Sequence, residues 1–132
     1  MKINKKIKSH ILSQTVNKDR RKIGIEVECF VYTKNYKRLS VNPSKGYSAT
    51  DLLHDLSNIS KKNNGSYSLE PGGQIEWSSP PFEDIKDLEQ SIHSYKKSID
   101  KVLEKRGLLS LYMGVEPFCD PDSIDLIKHK KY

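Results

Sequence analysis

Five polar residues carry the chemistry that this sequence can do. Glu26 and Glu28 sit at alternate positions of Ile23-Gly24-Ile25-Glu26-Val27-Glu28-Cys29-Phe30-Val31-Tyr32. That run alternates with period two and is rich in β-branched residues, which predicts a strand over 23–32. Its even positions put both glutamates on one face, while Ile23, Ile25, Val27 and Cys29 share the other. Residues two apart on a strand lie about 6.5–7 Å apart at Cα, and like charges held so close repel. The arrangement calls for a cation, a basic side chain or water. Mg²⁺ suits it, because it prefers oxygen and is usually held by few carboxylates together with phosphates. The second group is Glu70, Gln74 and Glu76, in Ser68-Leu69-Glu70-Pro71-Gly72-Gly73-Gln74-Ile75-Glu76-Trp77-Ser78. Four acids from two strands would make a face able to hold more than one Mg²⁺. Glu-x-Glu alone also suits a solvent-facing strand, so spacing leaves both readings open.

Other chemistries have no pattern here. No His/Cys cluster has zinc-ligand spacing, and His10, His54, His93 and His129 are scattered. There is no GxxxxGK[ST] phosphate loop. Cys29 and Cys119 are far apart without a CxxC spacing and read as reduced thiols, with Cys29 in a core alternation. The expected compartment is therefore the cytoplasm. No apolar run approaches the ~18 residues of a membrane helix, no signal-peptide pattern follows the basic start, and no membrane partner is expected.

Charge is unevenly placed. The chain of 132 residues has a net charge of +6, but residues 1–22 hold eight Lys/Arg and one acid, and the other 110 net −1. The basic segment reads as a helical arm over 3–16 with apolar Ile3, Ile7, Ile11, Leu12 and Val16. A solvated terminus explains it better than a nucleic-acid contact.

The elements that must position the acids follow. Residues 33–47 are turn-rich, with a short strand allowed at 38–41. Ser48 or Thr50 can cap a helix over about 50–60 striped by Leu52, Leu53, Leu56 and Ile59. Lys61–Gly65 is a turn. Residues 66–79 are strand-like on both sides of Pro71-Gly72-Gly73, where a bulge or sharp bend is expected. Gln74, Glu76 and Ser78 share one face there; Ile75 and Trp77 share the other, so Trp77 is assigned to the core. A helix over about 82–106 follows, acidic at its start, basic at its end and closed by Gly107. An apolar strand over 108–115 precedes a polar tail. This is an α+β domain whose sheet has helices on one face and carboxylates on the other.

The segment 68–78 resembles the Leu-Glu-Pro-Gly-Gly-Gln-x-Glu-x-Ser signature of glutamate–cysteine ligases of the plant and proteobacterial type. Residues 23–30 resemble that family's Gly-x-Glu-x-Glu-x-Phe strand, and the order of elements agrees. The tail Lys128-His129-Lys130-Lys131-Tyr132 is similar to a Pro-Lys-Gly-Arg-Tyr element, though without its glycine. The resemblance spans about residues 20–132. It implies part of a glutamine-synthetase-like catalytic fold, with a curved antiparallel sheet. It also implies ATP as substrate, Mg²⁺ (or Mn²⁺) as cofactor, and the joining of L-glutamate through its γ-carboxyl to L-cysteine by an acyl phosphate, the first step of glutathione biosynthesis. Glu26, Glu28, Glu70 and Glu76 would be the metal and ATP ligands, and Gln74 would line the site.

Family chains run to several hundred residues, and the stretch between the helix at 50–60 and the signature is shorter than the family pattern. Residues 1–22 are thus expected to be a basic arm and 23–132 an incomplete, N-terminal part of the catalytic domain. A further segment or a second chain would supply the basic residues that hold glutamate and phosphate. The chain alone is expected to be inactive. A related carboxylate–amine ligase with other substrates, or a non-catalytic binding module, are the alternatives.

Overall fold

The computed structural model describes residues 2–43, 46–60 and 65–127. Residues 61–64 of the turn expected at Lys61–Gly65, and the Lys128–Tyr132 element, lie outside the described residues. Helix α1 (Lys2–Ser13) is followed by a 3-10 turn at Lys18–Arg20. Strand β1 (Glu26–Thr33), helix α2 (Ala49–Ser60), strands β2 (Ser66–Leu69) and β3 (Ile75–Ser78), helix α3 (Ile85–Arg106) and strand β4 (Leu108–Leu111) then follow in order. The sheet is antiparallel throughout, in the order β2-β3-β1-β4. The α+β class expected from the sequence is what the chain adopts.

Alternation decides which face is covered. Cys29 and Val31 of β1, Ile75 and Trp77 of β3, and Leu108 of β4 are buried against Leu52 and Leu56 of α2 and Tyr95, Ile99 and Leu103 of α3. Burying side chains of this size stabilises by roughly 1.5–3 kcal/mol each before entropy is subtracted. Trp77 stacks on Tyr95 with ring centroids 4.7 Å apart and 10° between planes. Burial also pushes the Cys29 thiol up to about 12, so it stays protonated and inert.

The helix ends are built locally. The Ser48 hydroxyl accepts from Asp51 N at 3.2 Å while Asp51 Oδ2 accepts from Ser48 N at 2.9 Å, a reciprocal cap that starts α2. Asp84 Oδ1 accepts from Lys86 N at 2.8 Å and starts α3, three residues later than the sequence pattern predicts. Gly107, at φ 67°, ends it in the left-handed conformation that favours glycine. At the far side, Asp55 accepts from Tyr47 Oη at 2.7 Å and from Arg106 at 2.8 Å, tying α2 to the end of α3.

Two strands differ from expectation. Ile23 makes only an isolated bridge to Phe82, so β1 begins at Glu26. The last strand stops at Leu111 instead of running to Val115; the chain then bends at Gly114 and Val115, and Glu116 reaches back to Tyr32 and Arg38. Ile7, Ile11, Leu12 and Val16 of the amphipathic N-terminal segment are all at least half exposed. Among the described residues, no helix is long and apolar enough to cross a membrane.

Candidate metal centre

The uncovered sheet face is built from the residues that alternate out of the core. Glu26 and Glu28 project from β1 and are exposed, and Glu76 projects from β3. The register places Glu28 directly opposite Glu76 and Glu26 opposite Ser78. Ser79 N donates to Ile25 O at 2.9 Å. That bond makes Ile25, Val27 and Cys29 the hydrogen-bonded partners of β3, so Glu28 and Glu76 form a non-hydrogen-bonded pair. Such pairs bring Cα atoms to about 4.5 Å and side chains closest together. Like charges directly opposite destabilise a sheet. The face is therefore strained electrostatically by design of its sequence. Glu76 Oε1 accepts from Ser68 at 2.9 Å and from Ser78 at 3.3 Å, which orients its carboxylate.

Glu70 and Gln74 come from the hairpin between β2 and β3. The loop Pro71-Gly72-Gly73 is closed by Gly73 N donating to Glu70 O at 2.7 Å and Glu70 N donating to Gln74 O at 2.9 Å. Pro71 fits the second position of the turn, and Gly73 at φ 81° takes the left-handed position that ends it. The expected bend is thus a three-residue hairpin that sets Glu70 opposite Gln74. A Cβ on Gly73 would come within 2.6 Å of Val41 Cγ2. Gly73→Ala is expected to cost about 1–3 kcal/mol through strain and this clash, measured by urea unfolding; a loss within error of zero would mean the turn tolerates another conformation.

The four acids act on one another. The Glu70 carboxyl is held above its ordinary value of 4.5, first by burial and then by the charges of Glu76, Glu28 and Glu26. All three charges are negative. A raised folded value means that the folded chain keeps a proton the unfolded chain releases. The associated stability is complete below pH 4.5 and is lost as pH rises through the folded value. Glu70→Gln should remove that decline. Its melting temperature should gain on the wild type steadily from pH 4 to pH 7, and a gap independent of pH would count against the coupling.

The donor set fits Mg²⁺ in kind: oxygens only, from adjacent strands of one face. Among the described residues, no three His, Cys, Asp or Glu side chains converge into a ready-made cage. Mg²⁺ seldom needs one, because it keeps several waters and takes one or two carboxylates plus phosphates. Gln74 adds a second sign of a missing partner, since its Oε1 is buried without a hydrogen bond. Buried acceptors are rarely left so.

Sequence reasoning missed Arg38 and Glu116. The Arg38 guanidinium lies 4.4 Å over the Phe30 ring and donates to Gly72 O at 2.8 Å and to Glu116. Glu116 also accepts from Tyr32 Oη and from Phe118 N. The cation expected over the β1 face is thus an arginine, but it answers Glu116 and the Gly72 carbonyl, and among the described residues it forms no ion pair with the four acids. The two residues are 78 apart in sequence, and only the alternation that puts Phe30 and Tyr32 on the acidic face hints at a cover there.

A model described as glutamate-cysteine ligase family 2 matches residues 22–132. The chain is similar to the chloroplastic glutamate–cysteine ligase of Medicago truncatula, 27% identical over 137 residues, which covers 93% of this chain and 26% of that protein. It is similar also to the chloroplastic enzyme of Arabidopsis thaliana, 25% identical over 138 residues, covering 94% and 26% respectively. The chain spans about a quarter of the length of these relatives.

Proposed function

The chain belongs to glutamate-cysteine ligase family 2, and from that premise we propose that its acidic sheet face is the Mg²⁺-holding side of an ATP-dependent ligase that joins glutamate to cysteine. The observation that carries the reading is a row of like-charged carboxylates on the uncovered face, with no ion pair to any of them among the described residues. Glu28 faces Glu76 across two strands, and Glu70 responds to Glu76, Glu28 and Glu26 with no cation among the charges that shift it. A sheet gains nothing from that cluster by itself, whereas a divalent ion and phosphate oxygens would neutralise it.

In this reading Glu28 and Glu76, opposite one another across β1 and β3, would hold the ion together with Glu26 and Glu70. Ser68 and Ser78 hold the Glu76 carboxylate in place. Gln74 Oε1, buried without a hydrogen bond, would accept from an enclosed water beside the site. When bound, Mg²⁺ would supply positive charge to offset the phosphate charge of ATP. The wider ligase site would need basic groups for glutamate and phosphate. Arg38, clamped by Glu116 and Gly72, is not free to provide them. We therefore expect no phosphate release above blank from residues 1–132 with ATP, glutamate and cysteine.

Manganese tests the metal face without needing activity. Substoichiometric Mn²⁺ should broaden the backbone resonances of Glu26, Glu28, Glu70 and Glu76 first. Uniform broadening, or broadening centred on the acidic start of α3, would reject the assignment.

A further inference from the structure

Strand β1 has one edge that is only half paired. Its residues alternate in the direction of their backbone groups as well as their side chains. Ile25 bonds toward β3, through its carbonyl to Ser79 N at 2.9 Å and its N–H to the Ser79 hydroxyl at 3.0 Å. Val27 and Cys29 follow it. The N–H and C=O groups of Glu26, Glu28, Phe30 and Tyr32 therefore point to the opposite edge. There, β4 pairs with Phe30 through Leu111 and with Tyr32 through Leu109, and ends. Its register, continued, would set Met113 against Glu28 and Val115 against Glu26. The chain instead bends at Gly114 and is anchored above the sheet by Glu116 on Tyr32 and Arg38. The result is a groove of about 610 Å³ between Ile25–Glu28 and Tyr112–Gly114. Four backbone groups of Glu26 and Glu28 line one wall.

We infer that this open β1 edge receives an extended peptide strand bearing Lys or Arg at alternate positions. Main-chain bonds to Glu26 and Glu28 would hold it, as in other cases of strand addition. Its basic side chains would fall on the face of the two exposed glutamates, and opposite charges across strands stabilise the pair. Its intervening side chains would lie on the core side, beside the half-buried Val27 and Tyr112. Charge decides against the simplest competitor. A second copy docking antiparallel through the same edge would bring its own glutamates onto the same face. The inference uses Glu26 and Glu28, which the proposed function also assigns to Mg²⁺, so its test is run without metal and reads the backbone edge instead of the ion.

Amide exchange on the metal-free chain reads the edge directly. Glu26 and Glu28 amides should exchange fast while Val27 and Cys29 are protected. A short blocked peptide alternating valine and lysine should slow Glu26 and Glu28 by at least about tenfold, and the same peptide with glutamate for lysine should not. The Glu26→Gln/Glu28→Gln chain should keep its Val27 and Cys29 protection and lose the preference between peptides. Three results would overturn the inference: full protection of Glu26 and Glu28 before any peptide is added, which would mean residues 113–115 close the edge; equal effects of both peptides; or the same protection on simply concentrating the chain, the mark of a second copy.

Discussion

Replacing Arg38 with methionine is expected to cost the fold about 3–5 kcal/mol, the range for removing one partner of a buried ion pair. The side chains of Arg38 and Glu116 are 9% and 8% exposed, so a lone Glu116 would keep a charge that little water can reach. Methionine retains the stacking over Phe30 in part, which confines the loss to charge and hydrogen bonds. The pH dependence separates this from general damage. Burial alone would raise the Glu116 carboxyl, but Tyr32, the Phe118 amide and Arg38 together hold it below its ordinary 4.5. Its stability is present above pH 4.5 and lost as pH falls through the lowered folded value. The deficit of Arg38→Met should therefore shrink in acid, where Glu116 takes a proton in either chain. Arg38→Met/Glu116→Leu should recover much of the loss, since well-packed apolar groups often replace a buried pair without penalty. Urea unfolding of the three chains gives the numbers. A single-variant loss below 1 kcal/mol would show that water reaches the pair.

The second large effect is on metal response, and its sign reverses. Without metal, Glu28→Gln/Glu76→Gln should melt above the wild type, because a direct cross-strand repulsion of about 0.2–1 kcal/mol is gone. With Mg²⁺ at a hundredfold excess over its Kd, the wild type should gain about 2.7 kcal/mol and overtake the variant, which should not respond. The crossing is the diagnostic. Two parallel titrations, with equal gains in both chains, would place any bound ion elsewhere. A wild type that stays folded and shows no gain at millimolar Mg²⁺ would leave the acids as surface charge.

Much of this face can be read from alternation. Period two in residues 23–32 separates Glu26 and Glu28 from Cys29, and the same rule separates Glu76 from Trp77; both divisions hold in the fold. Pro71-Gly72-Gly73 signals a break, and its chemistry suits the hairpin found. The misses have a common cause. An apolar run at 108–115 looks like one strand, but the pull on Glu116 from Tyr32 and Arg38 lifts the chain off the sheet after Leu111. Pairings between residues so distant leave no local period to detect. The ends of β1 and α3 shift by about three residues for a milder reason: backbone bonds, which the side-chain pattern does not encode, decide where a ladder starts.

The stack of Trp77 on Tyr95 has a practical consequence. Trp77 is the chain's single tryptophan, next in sequence to Glu76 yet on the opposite side of the sheet. Its emission therefore belongs to the helix-covered interior alone. Ultraviolet excitation can follow unfolding with no added label, and an ion arriving at Glu76 should leave the spectrum's position unchanged while moving the temperature at which it shifts red. One native chromophore thus distinguishes a bound ligand from a disturbed core.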